Sequence, residues 1–112
     1  MNYKIKAYPL FERNLKRLAK KYISVKEDYK TLLNDLRTNP ELGTDLGNGL
    51  RKIRMKISSK NKGKSGGARI ISLTAIISGT DKEIGLHYIY DKSEKETVTD
   101  AELKEILRRN GL

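Results

Sequence analysis

The residues with the most to offer chemically are cations. Between Leu46 and Thr80 lie Arg51, Lys52, Arg54, Lys56, Lys60, Lys62, Lys64 and Arg69, with no Asp or Glu between them. Near the end of the chain, Tyr90, Lys92 and Glu94 follow one another at every second position. An extended segment would project those three side chains from one face. A ring, an ammonium and a carboxylate would then lie side by side. Metal-independent RNA cleavage needs little more. The 2′-hydroxyl must lose a proton and attack the adjacent phosphorus, the extra charge of the phosphorane must be neutralised, and the 5′-oxygen must gain a proton. On this reading Arg54, Lys56, Arg69 and Lys92 supply positive charge and Glu94 accepts the proton. Lys92, with its pKa lowered by neighbouring cations, donates one. Tyr90 stacks a splayed base. Arg51, Lys52, Lys60, Lys62 and Lys64 hold the RNA backbone.

Composition agrees with an anionic polymer as partner. The 112 residues hold 24 Lys and Arg against 14 Asp and Glu, a formal net charge of +10. Such an excess bears on partners and solubility rather than on fold. The length suits one domain over residues 1–112 and leaves no room for a separate cofactor domain. With no cysteine and a single histidine, His87, neither a thiolate chemistry nor a histidine metal cluster is expected. No cofactor is implied. Gly63-Lys64-Ser65 resembles the end of a phosphate-binding loop, but the glycine required five positions earlier is Ser58. Residues 1–8 have neither the apolar run of a signal peptide nor the bias of a transit peptide, and no stretch is apolar enough to span a membrane. The expected location is the cytoplasm.

The elements that must position these residues follow from periodicity. Residues 2–7 alternate apolar and polar, as a short strand does. Pro9 opens a helix whose apolar face is Phe11, Leu15, Leu18, Ala19 and Tyr22. Its opposite face is Arg13, Lys16, Arg17, Lys20 and Lys21. Ser24 and Glu27 read as a capping box for a second helix with the stripe Val25, Tyr29, Leu32, Leu33 and Leu36, ended by Asn39-Pro40. Residues 41–49, with Gly43, Gly47 and Gly49, read as a loop. The period then becomes two. Ile53, Met55 and Ile57 face one way, and Lys52, Arg54 and Lys56 the other. Residues 58–67 read as a flexible basic loop, residues 69–78 as a buried strand and residues 84–90 as its antiparallel partner. By alternation His87 falls on the side of Ile89 and Asp91, away from Tyr90. Thr99 and Glu102 form a capping box for a closing helix with the stripe Leu103, Ile106 and Leu107. The expected fold is α+β, an N-terminal strand and α-hairpin packed on a small antiparallel sheet in the order β-α-α-β-β-β-α.

Three stretches occur in a telling order: Gly49-Leu50-Arg51-Lys52-Ile53-Arg54, Gly63 to Ile71 (Gly-Lys-Ser-Gly-Gly-Ala-Arg-Ile-Ile), and Tyr88 to Lys95 (Tyr-Ile-Tyr-Asp-Lys-Ser-Glu-Lys). Together they resemble the RelE/ParE superfamily of type II toxins, in particular its HigB-type branch, over nearly the whole chain. The resemblance implies a RelE-like fold and metal-independent cleavage of mRNA in the ribosomal A site, which inhibits translation. The implied partners are the ribosome with its mRNA, including contacts to 16S ribosomal RNA, and a cognate antitoxin. It matches Arg54 and Lys56 to strand cations of the RelE pattern, Arg69 to its central-strand arginine, and Lys92 and Glu94 to the end of the HigB-type pattern. RelE relatives often carry an aromatic residue or histidine after the last strand, where this chain has Thr97-Val98-Thr99. ParE relatives share the fold and inhibit DNA gyrase without nuclease activity, and a non-enzymatic basic nucleic-acid-binding domain would carry the same charge.

Overall fold

The computed structural model of the chain describes residues 2–60 and 66–112. The elements are β1 (Asn2–Ala7), α1 (Pro9–Lys21), α2 (Val25–Thr38), β2 (Thr44–Gly47), β3 (Leu50–Met55), a 3-10 turn at Ser58–Lys60, β4 (Ala68–Ile76), β5 (Asp81–Asp91) and α3 (Asp100–Arg109). The fold is α+β with the expected succession of strand, helix pair, strands and closing helix. Among the described residues no helix is long and apolar enough to cross a membrane.

Two features of the sheet differ from the periodicity reading. Its order is β1-β5-β4-β3-β2, and β1 runs parallel to β5 while the other pairings are antiparallel, so the sheet is mixed. The parallel register sets Ile5 beside Ile84 and Ala7 beside Leu86, which brings the few apolar residues of β1 onto the core. The stretch 41–49, read as a loop, contains a strand of four residues, Thr44–Gly47, which pairs with β3. The link between them is Gly47-Asn48-Gly49, all at positive φ (89°, 55° and 83°). Glycine and asparagine tolerate that region best, so the same residues that suggested a loop here close a hairpin.

Helices α1 and α2 cover one face of the sheet. Phe11 and Leu18 from α1 and Val25, Leu32 and Leu36 from α2 pack on Ile53, Met55, Ile57, Ala68, Ile70, Ile84, Leu86 and Ile89. Each large side chain buried there contributes roughly 1.5–3 kcal/mol. Helix α3 begins as expected, with the Thr99 hydroxyl accepting from the Glu102 N–H at 3.2 Å and the Glu102 carboxylate accepting from the Thr99 N–H at 3.2 Å. The capping box expected at Ser24 does not form. Ser24 has helical backbone angles (φ −82°, ψ −9°), and its hydroxyl donates to Asp28 at 2.7 Å and accepts from the Ser59 N–H at 2.9 Å. Asp28 also accepts from the Ser58 N–H (3.0 Å) and hydroxyl (2.6 Å). A tertiary contact has taken the group that local pattern assigned to a cap.

The antiparallel register of β4 and β5 slips between Ile71 and Ser72, which face Tyr88 and Leu86 and leave His87 as the extra residue of a bulge. The bulge cancels strict alternation. His87 is buried and stacks on Tyr8, ring centroids 4.2 Å apart, away from Ile89 and Asp91, contrary to the alternation reading. Gly85 makes the space for that stack, since a Cβ there would lie 2.8 Å from both His87 Nε2 and Tyr8 Cε1. Gly85→Ala should therefore destabilise the fold by about 2 kcal/mol through overpacking. Urea unfolding measures this, and an unchanged midpoint would refute the packing account.

Candidate nucleic-acid interface

The sheet face away from α1 and α2 gathers the strand cations. Register alone puts Arg54 opposite Arg69 and Arg69 opposite Tyr90, a row across β3, β4 and β5. The adjacent row is Lys52, Ile71 and Tyr88. Lys56 lies one residue past Met55, Lys92 lies one residue past Asp91, and Met55 and Asp91 both pair with Ala68. The Lys92 N–H continues that ladder, donating to the Gly67 carbonyl at 3.1 Å. Arg54, Lys56, Arg69 and Lys92 thus share one end of the sheet, as a common anion site requires. Lys62 and Lys64 lie outside the described residues.

Arg54, Lys56 and Lys92 are exposed, whereas Arg69 is 4% exposed and donates to the Ala68 carbonyl at 3.2 Å. Burial, reinforced by the Arg54 charge, pushes the Arg69 guanidinium below its ordinary pKa, and Tyr90 partly opposes this. Like charges set directly opposite across two strands are destabilising. Tyr90 is 3% exposed, and burial raises the pKa of its phenol. Its hydroxyl is buried and has no hydrogen-bond partner among the described residues. A ring so enclosed cannot stack a base, which corrects that part of the sequence reading. The face is completed by α3, and a cleft of about 490 Å³ opens between the α3 N-terminal turns and Lys52, Leu50 and Ile71.

Three other candidates are placed elsewhere. The strand ends at Asp91 and residues 92–94 form a turn, so Tyr90, Lys92 and Glu94 do not share an extended face. Glu94 instead points to α1, accepting from Lys21 Nζ at 2.9 Å and Arg17 Nη1 at 3.3 Å. Lys21 chiefly, with Arg17, holds the Glu94 carboxyl below its usual range. Lys60 is an internal partner, with Nζ 2.9 Å from Asp91 Oδ1 and 5.1 Å from the centre of the Tyr22 ring. Arg51 shares the parity of Ile53 and donates to the Glu41 and Gly43 carbonyls at 3.0 and 3.3 Å, which ties down the 41–43 bend. Neither Lys60 nor Arg51 belongs to the basic row.

What ends the strand is Asp91, fully buried, which the sequence reading passed over. Its carboxylate accepts from the Tyr22 hydroxyl (2.6 Å), Lys60 Nζ (2.9 Å), the Ser93 N–H (2.9 Å) and the Ser93 hydroxyl (2.8 Å). Burial alone would raise its pKa, but these donors outweigh burial and hold the group well below the carboxylate range. Also missed were Tyr88, half-buried with its ring 6.0 Å from that of Tyr90, and Lys95, which is ion-paired with Glu102 beside both tyrosines. Period-two spacing from Tyr90 would have found Tyr88. The Lys95–Glu102 pair joins the turn to a helix cap, and no local pattern encodes it.

Searched against protein-family models and against curated proteins, the chain matches none. The reading therefore rests on geometry and charge. The basic row can bind phosphate and neutralise charge that develops on it, but it contains no carboxylate.

Two titrations should divide the acid limb of stability. Asn110 Nδ2 donates to the His87 carbonyl and to His87 Nδ1, each at 3.1 Å, which requires Nδ1 without a proton. Burial pushes the His87 pKa down to about 4. The folded state thus resists a proton that the unfolded chain accepts near pH 6.5, so stability falls as pH drops from about 6.5 to 4, by about 3 kcal/mol in all. Asp91 has the opposite chemistry and the same sign, since the stability from its depressed pKa is present above about pH 4 and lost below it. In urea melts from pH 7 to 2.5, His87→Gln should flatten the upper window only and Asp91→Asn the lower one only. If either variant changes both windows equally, the assignment fails.

Proposed function

We propose that this chain is a RelE/HigB-type toxin, a ribosome-dependent endoribonuclease that cuts mRNA and inhibits translation. The observation that supports this best is the gathering of the exposed Arg54, Lys56 and Lys92 at one end of the sheet, in a row that contains no carboxylate. Exposed cations crowded at one end of a sheet repel one another, and a bound phosphate would relieve that repulsion. A scissile phosphate at this end of the sheet lies within reach of Lys56 and Lys92 as well.

In this scheme the 2′-oxygen attacks phosphorus, and the charge gathering on the phosphorane is offset by Arg54 and Arg69. Lys92 gives a proton to the departing 5′-oxygen. With Glu94 turned to α1, the 2′-hydroxyl proton leaves to water, its loss favoured by the surrounding positive charge. The cations do the work that a metal ion does in other nucleases, so the scheme calls for no metal or cofactor. The resemblance supplies the remaining partners as proposals: the ribosome presents the mRNA in the cytoplasm, and an acidic antitoxin segment covers the row.

The engagement of Glu94 favours one other reading, a basic nucleic-acid-binding domain that does not cut. Primer extension on mRNA in a purified translation reaction separates the two. Wild type should leave discrete stops. Arg54→Gln, an exposed position whose loss spares the core, should weaken them by about 100-fold, the usual effect of removing one donor to a developing oxyanion. Lys92→Gln should reduce them by a similar order. Wild-type protein that binds RNA but leaves the message intact would establish the non-cutting reading.

A further inference from the structure

Helix α1 carries a second basic surface, on the other side of the sheet from the row. Arg13, Lys16, Arg17, Lys20 and Lys21 are all exposed. Their spacings of three, one, three and one residues put them on one helix face. From Arg13 to Lys21 the stripe runs about 12 Å, at 1.5 Å per residue. Like charges three and four residues apart on a helix destabilise it, and only Lys20 and Lys21, in the last turn, gain from the helix dipole. Among the described residues Arg13, Lys16 and Lys20 have no ion-pair partner, while Arg17 and Lys21 share a single carboxylate, that of Glu94. Glu94 reaches them from the 92–94 turn, which follows directly on the Tyr90 end of the basic row. An anion from the chain itself already sits between an arginine and a lysine of an otherwise uncompensated stripe.

We infer that the α1 stripe binds the phosphate backbone of double-stranded RNA, and that Glu94 occupies one phosphate position until RNA replaces it. The inference rests on the RNA reading above and extends it, because the cut strand and a folded segment would then be held by opposite faces of the sheet. Three features favour this occupant. A duplex presents about one phosphate per 1.7 Å of its axis, so a 12 Å stripe meets several at once. Arg13 and Arg17 offer guanidinium forks suited to phosphate oxygens. The stripe contains no apolar residue to enter a lipid surface. Replacement of Glu94 also has a consequence at the neighbouring site, since it releases the turn that carries Lys92 from α1.

The test is fluorescence anisotropy with a labelled RNA hairpin across a salt series, using the whole chain. The triple variant Arg13→Gln, Lys16→Gln, Lys20→Gln alters only unpaired exposed residues. It should weaken binding and reduce the slope of log K against log salt by about two to three. Glu94→Gln frees Arg17 and Lys21 and should tighten hairpin binding several-fold at low salt, whereas a purely structural ion pair would give weaker or unchanged binding. Unchanged hairpin binding by the triple variant overturns the stripe, and weaker or unchanged binding by Glu94→Gln overturns the exchange. Polyglutamate and phosphatidylserine vesicles serve as competing partners, and stripe-dependent binding to either that exceeds binding to the hairpin overturns the choice of RNA. The two readings fail separately. Discrete mRNA stops with an inert stripe remove only this inference, and stripe-dependent hairpin binding without stops removes only the nuclease.

Discussion

Much of the architecture around the basic face depends on one buried carboxylate. Asp91 lies under α1 with no exposed surface and four donor contacts. An ionised carboxylate in such a place is tolerable only when it is paired and hydrogen-bonded. Its donors come from the C-cap of α1, the 3-10 turn after β3, and the residue two places along its own chain. Meeting that demand joins three segments that are far apart in sequence. It ends β5, bends the following residues into a turn, and sends Glu94 toward α1 rather than along the strand direction.

The same constraint divides the cations into two kinds. Lys60 is consumed as the counter-ion of Asp91 and Arg51 as a clamp on backbone carbonyls, so neither is available to a ligand. Lys52, Arg54 and Lys56 differ from Arg51 only in strand parity, yet parity decides between the edge of the helix-covered face and the face opposite. A count of positive residues along the chain therefore overstates the ligand-binding charge. The meaningful quantity is the charge left on a face once internal partners are removed, and on the β3–β4–β5 face that is Lys52, Arg54, Lys56 and Lys92 around the buried Arg69.

Sequence was most informative where a single periodicity governed a single element. The apolar stripes of α1 and α2, the alternation Ile53, Met55, Ile57, and the Thr99–Glu102 cap all depend on contacts within an element or with one core, and all are present. It was least informative where two elements compete for one group. Ser24 has the spacing of a cap, but Asp28 and Ser59 bind its hydroxyl. Tyr90, Lys92 and Glu94 have the spacing of a strand, but Asp91 between them is a better partner for Tyr22 and Lys60 than for solvent. His87 has the parity of Ile89, but one extra residue in the β5 ladder reverses it. The parallel pairing of β1 is non-local in the same sense, because nothing within residues 2–7 says which strand will lie alongside.

These departures bear directly on function. Had the segment after Asp91 stayed extended, a carboxylate would have stood beside the cations and partly cancelled them, leaving a balanced and more stable surface. The turn instead moves Glu94 to the helix side, and the β3–β4–β5 face keeps an arginine opposite an arginine with no acid in the row. Burial makes this costlier, because Arg69 gives up water while facing a like charge. The hydrophobic core on the opposite face supplies enough stability to tolerate like charges at this end of the sheet. A ligand that brings negative charge to the exposed Arg54, Lys56 and Lys92 would relieve the repulsion among them, and under the proposed function a phosphodiester, which repeats that charge along a chain, is such a ligand.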